Sequence, residues 1–225
     1  MEGAGIMNMD GYLYVASVGS QLWHMARPDS DIDYFAIYQA KSTDILLGKN
    51  CMESHHTLKG DDDVQSHELG QTVASLTQCN LNFLIGLFSP LTIKPWDELD
   101  ALRYLAKQNL SRACYKSIHG MAVGNFNKYI KTGKETGAPA QKRMNTICRT
   151  IQMGIALLKT GEFEFKPFEG ASPDTVVTMI QMLDAAHETS KLPAKPPCPE
   201  KLEAWLLERR MEAIRDEFGF VERND

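Results

Sequence analysis

Two aspartates spaced i, i+2 enter an otherwise apolar stretch, Asp31-Ile-Asp33-Tyr-Phe-Ala-Ile-Tyr38, and a second apolar stretch, Tyr12-Leu-Tyr-Val-Ala-Ser-Val18, stops at Gly19-Ser20. Runs this rich in aromatic and β-branched residues predict buried strands. Gln21 to Ala26 predicts a short helix between them, ended by Arg27-Pro28-Asp29, so the opening unit reads strand, turn, helix, strand. Strand side chains two apart share a face, which places the carboxylates of Asp31 and Asp33 together. Carboxylates on a buried strand are costly without a cation. Hard oxygen ligands suit magnesium or manganese, and ions held there would clamp a triphosphate, activate an attacking hydroxyl and stabilise departing pyrophosphate. Gly19 allows the backbone to approach a phosphate closely, while Ser20 and the first N–H groups of the helix offer donors. The competing reading of the same residues is an acidic turn leading into an edge strand.

Residues 40 to 62 are polar, carry Gly48 and Gly60, and run into Asp61-Asp62-Asp63, which predicts an excursion with a short helical turn. A third strand is expected from about Val64 to His67. Helical spacing follows: Leu69, Val73 and Leu76 share one face, and Phe83, Leu84, Leu87 and Phe88 form another stripe before Ser89-Pro90. Beyond Pro95 the chain reads as all helical, with segments 96–107, 111–132, 139–160, 174–188 and 200–218 bounded by Gly, Pro or capping residues. Ser172-Pro173-Asp174 is a strong helix start. Met144, Met153, Met179 and Met182 fall at helical spacing and are expected in the core. The fold class expected is α+β, a small mixed sheet followed by a helical domain, divided into residues 1–95 and 96–225.

The net charge of −5 is unevenly spread. Between Arg103 and Lys166 there are twelve Lys and Arg against Glu135, Glu162 and Glu164, a segment charge of +9, which leaves −14 for the rest of the chain. A site that holds metal ions on carboxylates and phosphates on cations needs this separation. No apolar run is long enough to span a bilayer, and Met1-Glu2-Gly3-Ala4-Gly5 lacks the start of a secretory signal, so a cytoplasmic location is expected. Five cysteines without a C-x-x-C pair predict free thiols; Cys51 followed by His55-His56 is the one hint of zinc.

Gly19-Ser20 followed by Ser30-Asp31-x-Asp33 resembles the signature of the DNA polymerase β nucleotidyltransferase superfamily. Within it, the chain is similar to the YcgL-like predicted nucleotidyltransferases and to the polymerase-like partners of RNA repair ligases. Asn80-Leu-Asn-Phe-Leu-Ile-Gly-Leu-Phe-Ser-Pro90, Lys142-Arg-x-Asn-x-x-Cys-Arg149 and Leu157-Leu-Lys-Thr-Gly161 carry this closer likeness. The pattern departs where a glutamate is usual, at Ile85 or Gly86, and where a histidine is usual, at Asn145.

The resemblance implies a third carboxylate from a neighbouring strand. An antiparallel return would bring Glu68 closest to the aspartates, and a parallel one would bring Asp63. Lys142 and Arg149 stand two helical turns apart on one face, with Arg143 and Asn145 beside them, and are the candidates for phosphate contacts. Tyr115 and His119, four apart, could stack a base or simply pack, and His55-His56 could cover substrate. The resemblance implies transfer of a nucleoside monophosphate from a nucleoside triphosphate, ATP foremost, to a hydroxyl acceptor, with RNA favoured by the basic half. The alternative is a nucleotide- or RNA-binding module that keeps the fold without the chemistry.

Overall fold

A computed structural model describes residues 9–49, 51–59 and 62–219. The starting pentapeptide, Gly60 and Asp61, used above, lie outside the described residues. Strands β1 (Tyr12–Ser17), β2 (Ile32–Tyr38), β3 (Ser54–Lys59), β4 (Asp62–Glu68) and β5 (Thr92–Lys94) form one sheet in the order β3-β4-β2-β1-β5. Only β2 and β4 run parallel among these neighbours; the other pairs are antiparallel. The helices are α1 (Gly19–Leu22), α2 (Ser42–Leu46), α3 (Leu69–Thr77), α4 (Leu81–Phe88), α5 (Leu99–Gln108), α6 (Cys114–Asn125), α7 (Gly137–Thr160), α8 (Pro173–Thr189) and α9 (Pro199–Phe218). Phe126–Lys131 continues α6 as a π-helical segment. The architecture is the α+β class expected.

One face of the sheet carries the main core. Tyr14, Ala16, Phe35 and Ile37 alternate along β1 and β2 and pack against Val73, Leu76, Leu84 and Leu87 of α3 and α4. Glycine is required at 86 because a β-carbon there would meet the Phe35 ring at 2.2 Å. The opposite face carries a smaller cluster of Val15, Ala36 and Val64, joined by Met9, Tyr12 and Tyr34. The same main core continues through Leu99 and Leu102 of α5 to Ile147 and Ile151 of α7 and Trp205 of α9. Residue 95 therefore marks a change of composition, while the apolar interior passes across it unbroken.

Two expectations need correction. The excursion over 40–62 contains an ordered edge strand, β3, in register with β4 from Ser54↔His67 to Lys59↔Asp62. Its alternation is hidden because five of its residues, Ser54 to Leu58, are exposed. Among the four methionines, Met144 and Met153 are core, but Met182 is 49% exposed.

The last helix reaches back over the start of the chain. Glu217 of α9 accepts from the backbone N–H groups of Ser42 (2.8 Å) and Thr43 (3.4 Å), satisfying donors at the first turn of α2. Arg210 of α9 pairs with Glu68, which is fully buried.

Candidate active site

The turn after β1 is fixed by two backbone bonds. Ser17 N–H donates to Leu91 O (2.9 Å), and Val18 N–H donates to Asp33 O (2.8 Å). The second bond sets Gly19 directly against the Asp33 side chain. Gly19 has φ +55°, and a β-carbon on it would lie 1.7 Å from Asp33 Oδ2. Only glycine meets both demands, the left-handed backbone and the missing side chain. The helix that follows is shorter than expected, a single turn ending at Leu22.

Gly19, Ser20, Asp31 and Asp33 form one wall of a cleft of about 860 Å³, and Lys142, Asn145 and Arg149 of α7 line it from the other side. Burial holds the Asp33 carboxyl above the usual carboxylate range, and the charges of Asp63 and Asp31 raise it further; Lys142 and Arg149 pull the other way. An acid in that position is stabilised by any cation that enters.

The parallel pairing of β2 and β4 separates the two candidates for a third carboxylate. Asp33 is in register with Asp63, whereas Glu68 is in register with Tyr38. Five residues of strand put Glu68 roughly 16 Å farther along. Glu68 does not join the aspartates: its carboxylate accepts from Gly70 N–H (2.6 Å) and Ala40 N–H (3.3 Å) and pairs with Arg210. It caps α3 and ties α9 to the sheet. Asp63 is touched by His56 of β3, one of the pair expected to cover substrate, whose Nε2 stands 2.6 Å from Asp63 Oδ1. Once β3 is an edge strand beside β4, that contact follows from register, with Leu58 opposite Asp63 and His56 two residues back.

Arg149 is placed by packing. Its guanidinium lies over the Trp23 ring, 5.1 Å from the centroid, and its Nη1 donates to Met25 Sδ at 3.4 Å. Nε is buried and, among the described residues, has no partner. Burial pushes its pKa down to about 10, opposed by Asp33, so it stays charged at neutral pH. A cation with donors left over, facing acids across a cleft, suits an anionic ligand. Lys142 is exposed at the same wall. Asn145, where the resembled family has histidine, accepts from Ala171 N–H (3.0 Å) and from Gln141 (3.0 Å), and Gln141 donates to Ala171 O (2.7 Å). These bonds hold the Glu169-Gly170 loop, unforeseen from sequence, at the cleft rim. The other departure, Ile85-Gly86, falls on α4 beneath Phe35 and lines no part of the cleft.

The remaining candidates lie elsewhere. Arg143 faces away, paired with Glu135 and stacked over Tyr129 at 4.1 Å. Tyr115 donates to Asp184 Oδ1 (2.9 Å) and stacks on His187 at 4.1 Å, with His119 beside it, so this pair packs α6 on α8. Cys51 and His55-His56 make no zinc cage: among the described residues, no three His, Cys, Asp or Glu side chains gather as a ready-made metal site.

That last fact also bears on magnesium. Magnesium bound together with a nucleotide commonly takes one or two carboxylates and completes its shell from phosphate oxygens and water. Asp31 and Asp33 at the cleft wall, with Asp63 in register alongside, are oxygen donors of the kind this mode requires.

Among the described residues, no helix is long and apolar enough to cross a membrane. No curated protein matches the chain. A family model does, over residues 8–222, nearly the whole sequence, and it is the one described as RlaP, RNA repair pathway DNA polymerase beta family. The glycine turn, Asp31 just before β2, Asp33 within it and the mixed sheet thus sit in a polymerase β-type nucleotidyltransferase framework, and the chain belongs to the RNA repair pathway DNA polymerase beta family.

Proposed function

We propose that the protein transfers a nucleoside monophosphate from a nucleoside triphosphate, ATP foremost, to a hydroxyl of RNA and releases pyrophosphate. The observation that carries this reading is the Asp33 carboxyl, folded onto Gly19 beside Asp31 and Asp63 and facing Lys142 and Arg149 across the cleft.

Asp31 and Asp33 would hold divalent magnesium or manganese, which supplies Lewis-acid charge at the reacting phosphate. The chain's own groups do the rest. Lys142 and Arg149 neutralise the phosphate oxygens, and the Gly19-Ser20 turn leaves the triphosphate room to lie against the backbone. The acceptor oxygen attacks the α-phosphorus, the bond to the pyrophosphate oxygen breaks, and the hydroxyl proton passes to the Asp63 carboxylate. His56, in contact with Asp63 Oδ1, keeps that carboxylate oriented.

RNA as the acceptor is supported by a basic knob on the π-helical segment and the loop that leads into α7. Lys128 and Lys134 lie 4.9 and 5.1 Å from the Tyr129 ring, with Arg143 at 4.1 Å, and Lys131 covers Phe126. The knob abuts the first turns of α7, where Ala138, Pro139 and Lys142 line the cleft. Cations interleaved with aromatic rings suit a single strand's phosphates.

The test is release of pyrophosphate from each nucleoside triphosphate, with magnesium, with and without single-stranded RNA. Wild type should release it and label the RNA; the Asp31→Asn/Asp33→Asn variant should do neither. Equal binding of nucleotide by both proteins, with no turnover by wild type, would favour a binding module instead.

A further inference from the structure

A second groove of about 470 Å³ adjoins the cleft, and Glu169 lines both. Its walls are Gln152 and Ile155 of α7, Phe168, and Met179 and Met182 of α8. The volume lies within the range of roughly 300–1,000 Å³ typical of small-molecule sites. We infer that this groove is a nucleobase subsite for adenine, read by Gln152. The inference rests on the nucleotidyl-transfer reading and names the base of its substrate.

Three observations converge on it. The wall of α7 changes character along its axis, from Lys142 and Arg149 in the cleft to Gln152 and Ile155 in the groove. Arg149 and Gln152 are three residues apart, a rise of about 4.5 Å, so one small ligand can touch both. A nucleotide has the matching profile, anionic at one end and flat and weakly polar at the other. Second, the flanking groups are the half-buried Phe168 ring and two methionine side chains, Met179 half-buried and Met182 49% exposed. Aromatic rings and polarisable thioethers are good company for a heteroaromatic plane. Third, Gln152 Oε1 is sealed from solvent and, among the described residues, meets no hydrogen-bond donor. Turning the amide into the groove gives it one. A carboxamide presents an acceptor and a donor side by side, the complement of adenine's exocyclic amine and adjacent ring nitrogen. Glu169 at the junction repels phosphate and keeps the anionic end of the nucleotide in the cleft.

Calorimetric titration with magnesium, using ATP, UTP and inorganic tripolyphosphate as probes, tests this on wild type, Gln152→Leu and Met182→Trp. Wild type should prefer ATP to UTP by about tenfold, the discrimination of one bidentate amide contact. Gln152→Leu should bring the two nucleotides within about threefold, with tripolyphosphate affinity unchanged. Met182→Trp, which fills the groove from an exposed position and spares the core, should weaken ATP and leave tripolyphosphate alone. If tripolyphosphate binds and wild type does not discriminate ATP from UTP, or Gln152→Leu and Met182→Trp both preserve the preference, the subsite is wrong and the cleft reading survives. If tripolyphosphate does not bind wild type, the cleft reading fails and takes the subsite with it.

Discussion

Oδ2 of Asp33 occupies the space a β-carbon on residue 19 would need, at 1.7 Å from its ideal position. The glycine and the acid are therefore one device: the left-handed turn at φ +55° exists so that the carboxyl can fold onto it. Gly19→Ala must displace Asp33 and strain the turn together. A displacement of about 1 Å at a reacting centre costs on the order of 10²-fold in rate, and that loss is expected in pyrophosphate release. Thermal unfolding should show only a modest drop, about 1–3 kcal/mol, because strain at a single special backbone position is of that size. A Gly19→Ala variant with wild-type turnover would disconnect the turn from the chemistry.

Asp63 and Glu68 sit on one strand and should fail in opposite ways. Asp63→Asn removes the proposed proton acceptor and is expected to lower turnover by about 10²–10⁴-fold while the melting curve barely moves. Glu68→Gln leaves Arg210 charged and unpaired under α9, and breaking a buried pair costs about 3–5 kcal/mol. Its folded fraction should keep near-normal turnover. Chemical denaturation and single-turnover kinetics on both variants separate the two roles, and a catalytic collapse in folded Glu68→Gln would reverse them.

Much of the fold was legible because its signals are local. Tyr12–Ser17 and Ile32–Tyr38 are apolar on both faces, and Ser172 caps α8 through a capping box with Thr175. The Gly19-Ser20 turn and the two aspartates could be named for the same reason. What the sequence withheld depends on register between distant segments. Nothing local says that β4 runs parallel to β2, and that single fact puts Asp63 beside Asp33 and sends Glu68 to Arg210. The edge strand β3 was hidden by its exposed side chains, and with it the His56 contact to Asp63. The Glu169-Gly170 rim is held by Gln141 and Asn145 through bonds spanning more than twenty residues. Periodicity carries no trace of such bonds.

His67 gives the fold an acid-sensitive component. It is half-buried between Phe35 and Phe83, with Nδ1 2.7 Å from Ser54 Oγ, and burial lowers its pKa from 6.5 to about 4. The unfolded chain therefore binds a proton between these values that the folded protein refuses. Stability from this residue is fully present above pH 6.5 and is lost as pH falls toward 4. Melting temperatures taken across that window should fall less steeply for His67→Gln than for wild type. Parallel curves for the two proteins would show that His67 titrates alike in both states.

The basic knob makes a quantitative claim about salt. Lys128, Lys131 and Lys134 are all exposed and lie near aromatic rings, so each can meet a backbone phosphate of RNA entering the cleft. Binding to single strands weakens with salt by a logarithmic slope of about 0.7 per phosphate neutralised. Replacing all three lysines with glutamine should thus reduce the slope by about 2 in a titration of single-stranded RNA from low to moderate salt. Affinity for free nucleotide should stay as it was, since none of the three lines the cleft. A triple variant that binds RNA with the wild-type slope would move the acceptor path off this knob and leave the cleft as the sole cationic contact.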